Sequence, residues 1–293
     1  MPKHLPYAAN YVRTSVLMAF LVGVLAVGGH LMGGTNGMLL FGAIGLAMNF
    51  IMYWYSDRIA LLAHRAREVS PTEAPSLHRV VERLANRAGI PKPRVHVIPS
   101  QSPNAFATGR NPEHAVVAVT EGLMELLSER ELAGVVAHEL AHIRNRDILI
   151  QTIAAGVAGL VAATGHVIQW SLLFAGGRDD DEGGVGIIGA IAWAILAPLI
   201  AILIQFAISR SREYGADATG AAICADPDAL ADALARLEDT NRLLPYQHAG
   251  PATAHLFIVS PLRSGGLGAS WTSLLSTHPP IEERIRRLRA MHA

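Results

Sequence analysis

The sequence predicts a mainly α-helical chain with a small β-sheet, built from four transmembrane helices and one polar domain. Three observations predict this. The 293 residues are 51% hydrophobic and only 16% charged, where a soluble domain carries about 25% charge. The charges are also segregated: stretches 14–56, 148–177 and 183–209 hold none, and together they make up 100 residues. The remaining residues then carry about 25% charge, the ordinary globular share. Finally, the polar parts show helical and alternating apolar patterns. The apolar content excludes a disordered chain. The single cysteine, Cys224, excludes a disulfide framework. The balance of 24 basic against 24 acidic residues argues against a nucleic-acid partner.

The first uncharged stretch is long enough for two helices of about 20 residues. Gly33-Gly34-Thr35-Asn36-Gly37 divides it with turn residues. Helices are expected at 16–32 and 38–55, the second closed by Tyr53, Trp54 and Tyr55 as an interfacial aromatic belt. The other stretches predict helices at 148–174 and 185–208. The first apolar run exceeds a signal-peptide core and leads directly into a second helix, so no cleaved leader is expected. Lys3 and Arg13 precede the first hairpin, and Arg58, Arg65 and Arg67 follow it. Arg210 and Arg212 follow the second hairpin, whose loop is mostly acidic (Arg178-Asp179-Asp180-Asp181-Glu182). The excess of Lys and Arg puts both termini and the polar parts on the cytoplasmic side. The expected organisation is a hairpin at 1–56, a first polar part at 57–147, a second hairpin at 148–209 and a second polar part at 210–293. The two polar parts are expected to fold as one domain.

Within the first polar part, Ser70-Pro71-Thr72-Glu73 reads as a helix start. Leu77, Val80, Val81, Leu84 and Ala88 then recur at helical spacing, and Gly89-Ile90-Pro91 stops the helix. Strands are expected at 94–98, 104–108 and 115–120, with a turn at Gly109-Arg110-Asn111-Pro112. Ser128-Glu129-Arg130-Glu131 is a capping box opening a further helix. The second part reads as helical at 210–240, loop-rich at 243–276 and helical again after Pro279-Pro280.

The capped helix contains His138-Glu139-Leu140-Ala141-His142, an H-E-x-x-H pattern. Residues i and i+4 share a helix face, so both imidazoles can reach one zinc ion. Glu139 lies close by without ligating and suits a general base acting on a water at the open position. A third ligand is required. Glu213 and Asp217 are themselves i and i+4; one can ligate while the other orients a ligating histidine, and Glu213 is the stronger candidate. His142 precedes the third uncharged helix by six residues and Glu213 follows the fourth by four. Both therefore lie within roughly 10 Å of the membrane surface, at one depth. An extended substrate could pair with a strand edge at Asn104, Ala105, Phe106, Ala107 and Thr108.

These residues resemble the HtpX family of membrane-bound zinc metalloproteases, in the wider group that includes the Ste24 CAAX proteases. The resemblance rests on His138–His142 followed by Asn145, on Glu213-x-x-x-Asp217, and on Tyr53-Trp54-Tyr55-Ser56-Asp57. It also rests on the run from Pro103 to Pro112 and on Ser276-Thr277-His278-Pro279-Pro280-Ile281-Glu282-Glu283-Arg284. It implies a zincin-type (gluzincin-like) protease domain with one zinc per chain. Its implied ligands are His138, His142 and Glu213, with Glu139 as acid/base. It further implies Asp217, and with it Asn145, as residues behind the ligands. His278 and Arg284 are implied to contact substrate or the oxyanion. The implied role is quality-control cleavage of misfolded or damaged membrane proteins at the inner membrane of a bacterium. The partners are protein substrates and the lipid bilayer, and the oligomeric state is open. Two other readings stand beside it: CAAX-type processing, and a four-helix scaffold or transporter with a structural zinc. Arg144, Asn145, Arg146 and Asp147 beside the motif argue against a site at bilayer depth.

Overall fold

The structure is a computed structural model and describes residues 6–151, 153, 210–243 and 279–292. Helix α1 runs from Pro6 to Ala63, with non-helical backbone at Gly33 and Gly34. The chain reverses there. Asn49 Nδ2 donates to the Met18 carbonyl at 2.8 Å, although 31 residues of straight helix would separate them by about 46 Å. Gly29 lies so close to Gly37 that a side chain on either would overlap the other's carbonyl. The two arms therefore form a helical hairpin, with its bend at Gly33-Gly34. The arm Gly33–Tyr55 is long and apolar enough to cross a bilayer, while Thr14–His30 is a shorter apolar helix. Val16, Val27, Leu39, Leu46 and Phe50 are each more than 60% exposed along this hairpin. The chain is again helical at 148–151. The rest of the helix expected at 148–174, and the whole of that expected at 185–208, lie outside the described residues.

Four strands form one sheet in the order β1-β2-β4-β3: β1 Arg67–Glu68, β2 Arg94–Ile98, β3 Ala105–Thr108 and β4 Val116–Thr120. β2 and β4 are parallel, and the other two pairings are antiparallel. The short strand β1 was not expected from sequence, since two residues carry no readable alternation. β3 is an edge strand. The Asn104 carbonyl accepts from Thr120 N at 2.9 Å, so by alternation the backbone groups of Ala105 and Ala107 face away from β4.

Helix α2 (Pro75–Ala88) starts later than Ser70 suggests. Ser70 and Glu73 close a separate turn, with Ser70 N donating to the Glu73 carboxylate at 2.7 Å. The helix waits for Pro75, whose ring fits a first helical turn. Gly89 ends it in the left-handed conformation, with its N–H returned to Ala85 and Asn86 carbonyls. The short helix α3 (Glu121–Leu126) follows β4. Helix α4 (Glu129–Arg144) opens with the predicted capping box between Ser128 and Glu131. The region 210–240 is two helices, α5 (Arg210–Cys224) and α6 (Pro227–Leu243). Left-handed Ala225 (φ 58°) and Pro227 break it. Helix α7 (Ile281–Arg289) follows Pro280.

The main core takes side chains from both polar parts, including Leu84, Val117, Leu140, Leu234 and Leu288. Helix α4 is its centre, buried without a break from Glu131 to Ile143. On the other face of the sheet, Ile98, Phe106, Val116 and Ala118 pack on Ala60 and Leu61 at the end of α1. The hairpin is thus anchored directly to the sheet whose edge lies beside α4.

Candidate metal centre

One turn of α4 separates His138 from His142, so their rings stack along the buried face, edge to face with centroids 4.8 Å apart. Their Nε2 atoms approach to 3.2 Å. Helix α5 supplies Glu213, whose carboxylate oxygens lie 3.8 Å from His138 Nε2 and 3.7 Å from His142 Nε2. All three residues are buried, and one ligand atom of each falls within 4.8 Å of the others. Tetrahedral zinc with bonds of about 2.0–2.1 Å needs ligand atoms about 3.3 Å apart. The donor set fits that geometry and that metal's preference for imidazole and carboxylate.

The remaining nitrogens are held from behind. His138 Nδ1 lies 2.9 Å from Asp217 Oδ1, and His142 Nδ1 lies 3.3 Å from Asp147 Oδ2. A carboxylate on Nδ1 fixes the tautomer that leaves an Nε2 lone pair for a metal. Burial alone would lower the His142 imidazole; Asp147, Glu213 and Glu139 outweigh it and push it up to about 9. Such an anionic pocket favours a bound cation. Arg284 is fully buried and grips Asp217 through Nε at 2.9 Å and Nη2 at 2.7 Å. Its Nη1 is 3.9 Å from Glu213. Burial alone would raise the Asp217 carboxyl, but Arg284 holds it well below the usual range.

Glu139 is buried beside the two imidazoles. Burial pushes its carboxyl above the ordinary range against the pull of His138 and His142, and the Ala107 N–H donates to it. The edge strand and the candidate base are therefore in direct contact. Asn104 is turned the other way, its N–H donating to Thr120 Oγ1 at 2.8 Å. Asn145 stands at the C-terminal cap of α4. His278 lies outside the described residues.

Sequence reasoning missed two contributors. Asp147 comes back to His142 because Arg146 adopts a left-handed turn (φ 61°), and Asp147 N then donates to the His142 carbonyl at 2.9 Å. Its only signal was a carboxylate five residues past the second histidine. Gly220 lies on α5 one turn beyond Asp217, and a Cβ there would meet the His138 backbone at 2.9 Å. That absent side chain lets α5 approach closely enough for Glu213 to reach both imidazoles.

The sequence pattern of peptidase family M48 matches residues 71–292. The chain belongs to peptidase family M48. It is similar to a protease HtpX homolog of Pyrococcus furiosus, 56% identical over 279 residues that cover 95% of each chain. A protease HtpX homolog of Desulforapulum autotrophicum is 52% identical over 281 residues, covering 96% of this chain and 89% of the relative. Among solved structures it resembles the crystal structure of S. mikatae Ste24p, with a TM-score of 0.52 and 20% identity. That match covers 97% of this chain and 66% of the other, and at this identity it speaks for the fold alone. Membership of M48 makes this chain a metalloprotease, and the buried His138, His142 and Glu213 cluster could hold the metal that such a protease needs.

Proposed function

We propose that this M48 chain is a membrane-embedded zinc endopeptidase that cleaves misfolded or damaged membrane proteins at the cytoplasmic face of the cell membrane. The observation that carries the reading is the convergence of His138, His142 and Glu213 with Glu139, beside the edge strand β3. The apolar hairpin of α1, packed on the same sheet, supports a membrane setting. So does the helix restarting at residue 148, immediately after the site. A second hairpin at 148–209 completes four spans, with both termini and both polar parts cytoplasmic.

His138, His142 and Glu213 would hold one zinc, with Asp217 and Asp147 fixing the imidazoles. When bound, zinc supplies Lewis-acid polarisation of the attacking water and of the scissile carbonyl. Glu139 takes the proton of that water at its carboxylate and delivers it to the leaving nitrogen. The outward N–H and C=O groups of Ala105 and Ala107 align an extended substrate by strand addition. Arg284 acts through Asp217 rather than on substrate, since its guanidinium is buried and committed to that carboxylate. His278 is assigned to substrate or oxyanion contact by the family resemblance.

The test is proteolysis by purified wild type and Glu139→Gln of three substrates: an unfolded membrane protein, a folded soluble protein and a prenylated peptide. The expected result is cleavage of the unfolded membrane protein only, reduced at least about 100-fold in Glu139→Gln with metal content unchanged. Preferential cleavage of the prenylated peptide would replace quality control with CAAX-type processing. Undiminished cleavage by Glu139→Gln would remove Glu139 from the mechanism.

A further inference from the structure

A second polar pocket lies apart from the metal centre, where α1 leaves its apolar arm. It has a volume of about 310 Å³, at the lower end of small-molecule sites. Three separate segments converge on it: the end of the α1 arm, the start of β2, and the turn between β3 and β4. They bring Arg58, Lys92, Arg94 and Arg110 to one place, against Asp57 and Glu113. Asp57 is taken by Arg94 at 3.1 Å, and Lys92 pairs with Glu82 at 2.8 Å. Arg110 instead lies over the Trp54 ring at 4.7 Å, and Arg58 over Tyr55 at 5.6 Å. Among the described residues no carboxylate lies within salt-bridge distance of either guanidinium. The pocket thus presents two guanidinium groups set against aromatic faces and outside salt-bridge distance of any described carboxylate, with Asp57 and Glu113 also in its lining.

Its depth is set by the helix. The apolar arm ends at Tyr55, and Arg58 lies about 5 Å further along the axis. The headgroup layer occupies roughly 5–7 Å beyond the hydrocarbon on each side. Trp54 and Arg58 are i and i+4, so the ring at the boundary and the charge above it share one helix face. Scattered cations would suffice for orientation alone. Two guanidinium groups from separate segments, converging on one cavity beside the paired Lys92 and Arg94, are instead suited to a specific anion.

We propose that this pocket binds the phosphate headgroup of an anionic membrane phospholipid, docking the protease domain on the bilayer surface. The inference rests on the membrane reading above. The test uses the full chain purified in detergent and exposed to equal amounts of phosphatidylglycerol and phosphatidylcholine, with retained lipid counted by native mass spectrometry. Co-flotation with pure phosphatidylcholine vesicles is measured in parallel. Wild type is expected to retain phosphatidylglycerol by roughly tenfold or more over phosphatidylcholine. Arg58→Gln/Arg110→Gln should lose that preference while floating with neutral vesicles as wild type does, and Arg58→Lys/Arg110→Lys should keep most of it. Equal retention of the two lipids by wild type, or a preference that survives in the double Gln variant, overturns the proposal and leaves the membrane reading intact. Displacement by an equal concentration of glycerol 3-phosphate makes a free phosphate the ligand and overturns the lipid source. Failure of wild type to float with neutral vesicles removes the membrane reading and this inference together.

Discussion

At the residue scale, the centre is a set of carboxylates assigned different tasks by their surroundings. Glu213 faces both Nε2 atoms and is placed to ligate. Asp217 and Asp147 sit on the two Nδ1 atoms, and Glu139, the proposed proton carrier, is desolvated beside the imidazoles. Removing a carboxylate behind a ligating histidine typically weakens metal binding 10–100-fold. Asp147→Asn should therefore show such a loss in competition with a chelator, without unfolding the chain. Arg284→Met should do more damage. It leaves Asp217 as an uncompensated buried charge, a change that costs about 3–5 kcal/mol. Chemical denaturation should show that loss in the metal-free chain too, which separates a structural clamp from a substrate contact. The convergence of Glu139 with the i, i+4 histidines was legible because helix periodicity alone brings them together. Asp147 was not, because its approach depends on one left-handed residue, Arg146.

At the element scale, two glycines of α5 make opposite predictions. Nothing lies within 4 Å of where a Cβ on Gly215 would fall, whereas one on Gly220 would meet His138. Gly215→Ala should stabilise the chain by up to about 1 kcal/mol, through helix propensity. Gly220→Ala should destabilise it by about 1–3 kcal/mol as α5 is pushed from α4. Metal content, measured alongside thermal unfolding, should fall only in the second. Strands β2, β3 and β4 and helices α2 and α4 were readable from alternation, periodicity and caps. The start of α2 was misplaced because Ser70 and Glu73 make the same hydrogen bonds in a turn as in a cap. The break between α5 and α6 was missed because only the backbone at Ala225 and the ring of Pro227 interrupt an otherwise continuous helical pattern.

At the scale of the whole molecule, the candidate metal centre joins two polar parts that lie on either side of residues 148–209. α4 brings His138 and His142 from one part and α5 brings Glu213, the proposed third ligand, from the other. A metal bound only to the folded chain must therefore stabilise the pair of parts together. At a free concentration about a thousandfold above its dissociation constant the gain is about 4 kcal/mol. Adding zinc to chelator-treated protein should raise the thermal midpoint of wild type, and Glu213→Ala should show little of that rise. An equal rise in Glu213→Ala would remove Glu213 from the ligand set.

The sequence by itself determined that an apolar helical hairpin opens the chain, where that hairpin turns, and which helix carries the paired histidines. Each of these is a local property, set by charge, glycine content or a four-residue spacing. Only the tertiary structure decided that Glu213 reaches both imidazoles, that Asp147 and Asp217 divide the two Nδ1 atoms, and that Arg284 is buried on Asp217. It also decided that the Ala107 N–H meets Glu139, and that four cations gather beside Trp54. Those contacts join residues far apart in the chain or depend on one backbone angle. They follow from how closely helices and strands approach, which composition and periodicity do not encode.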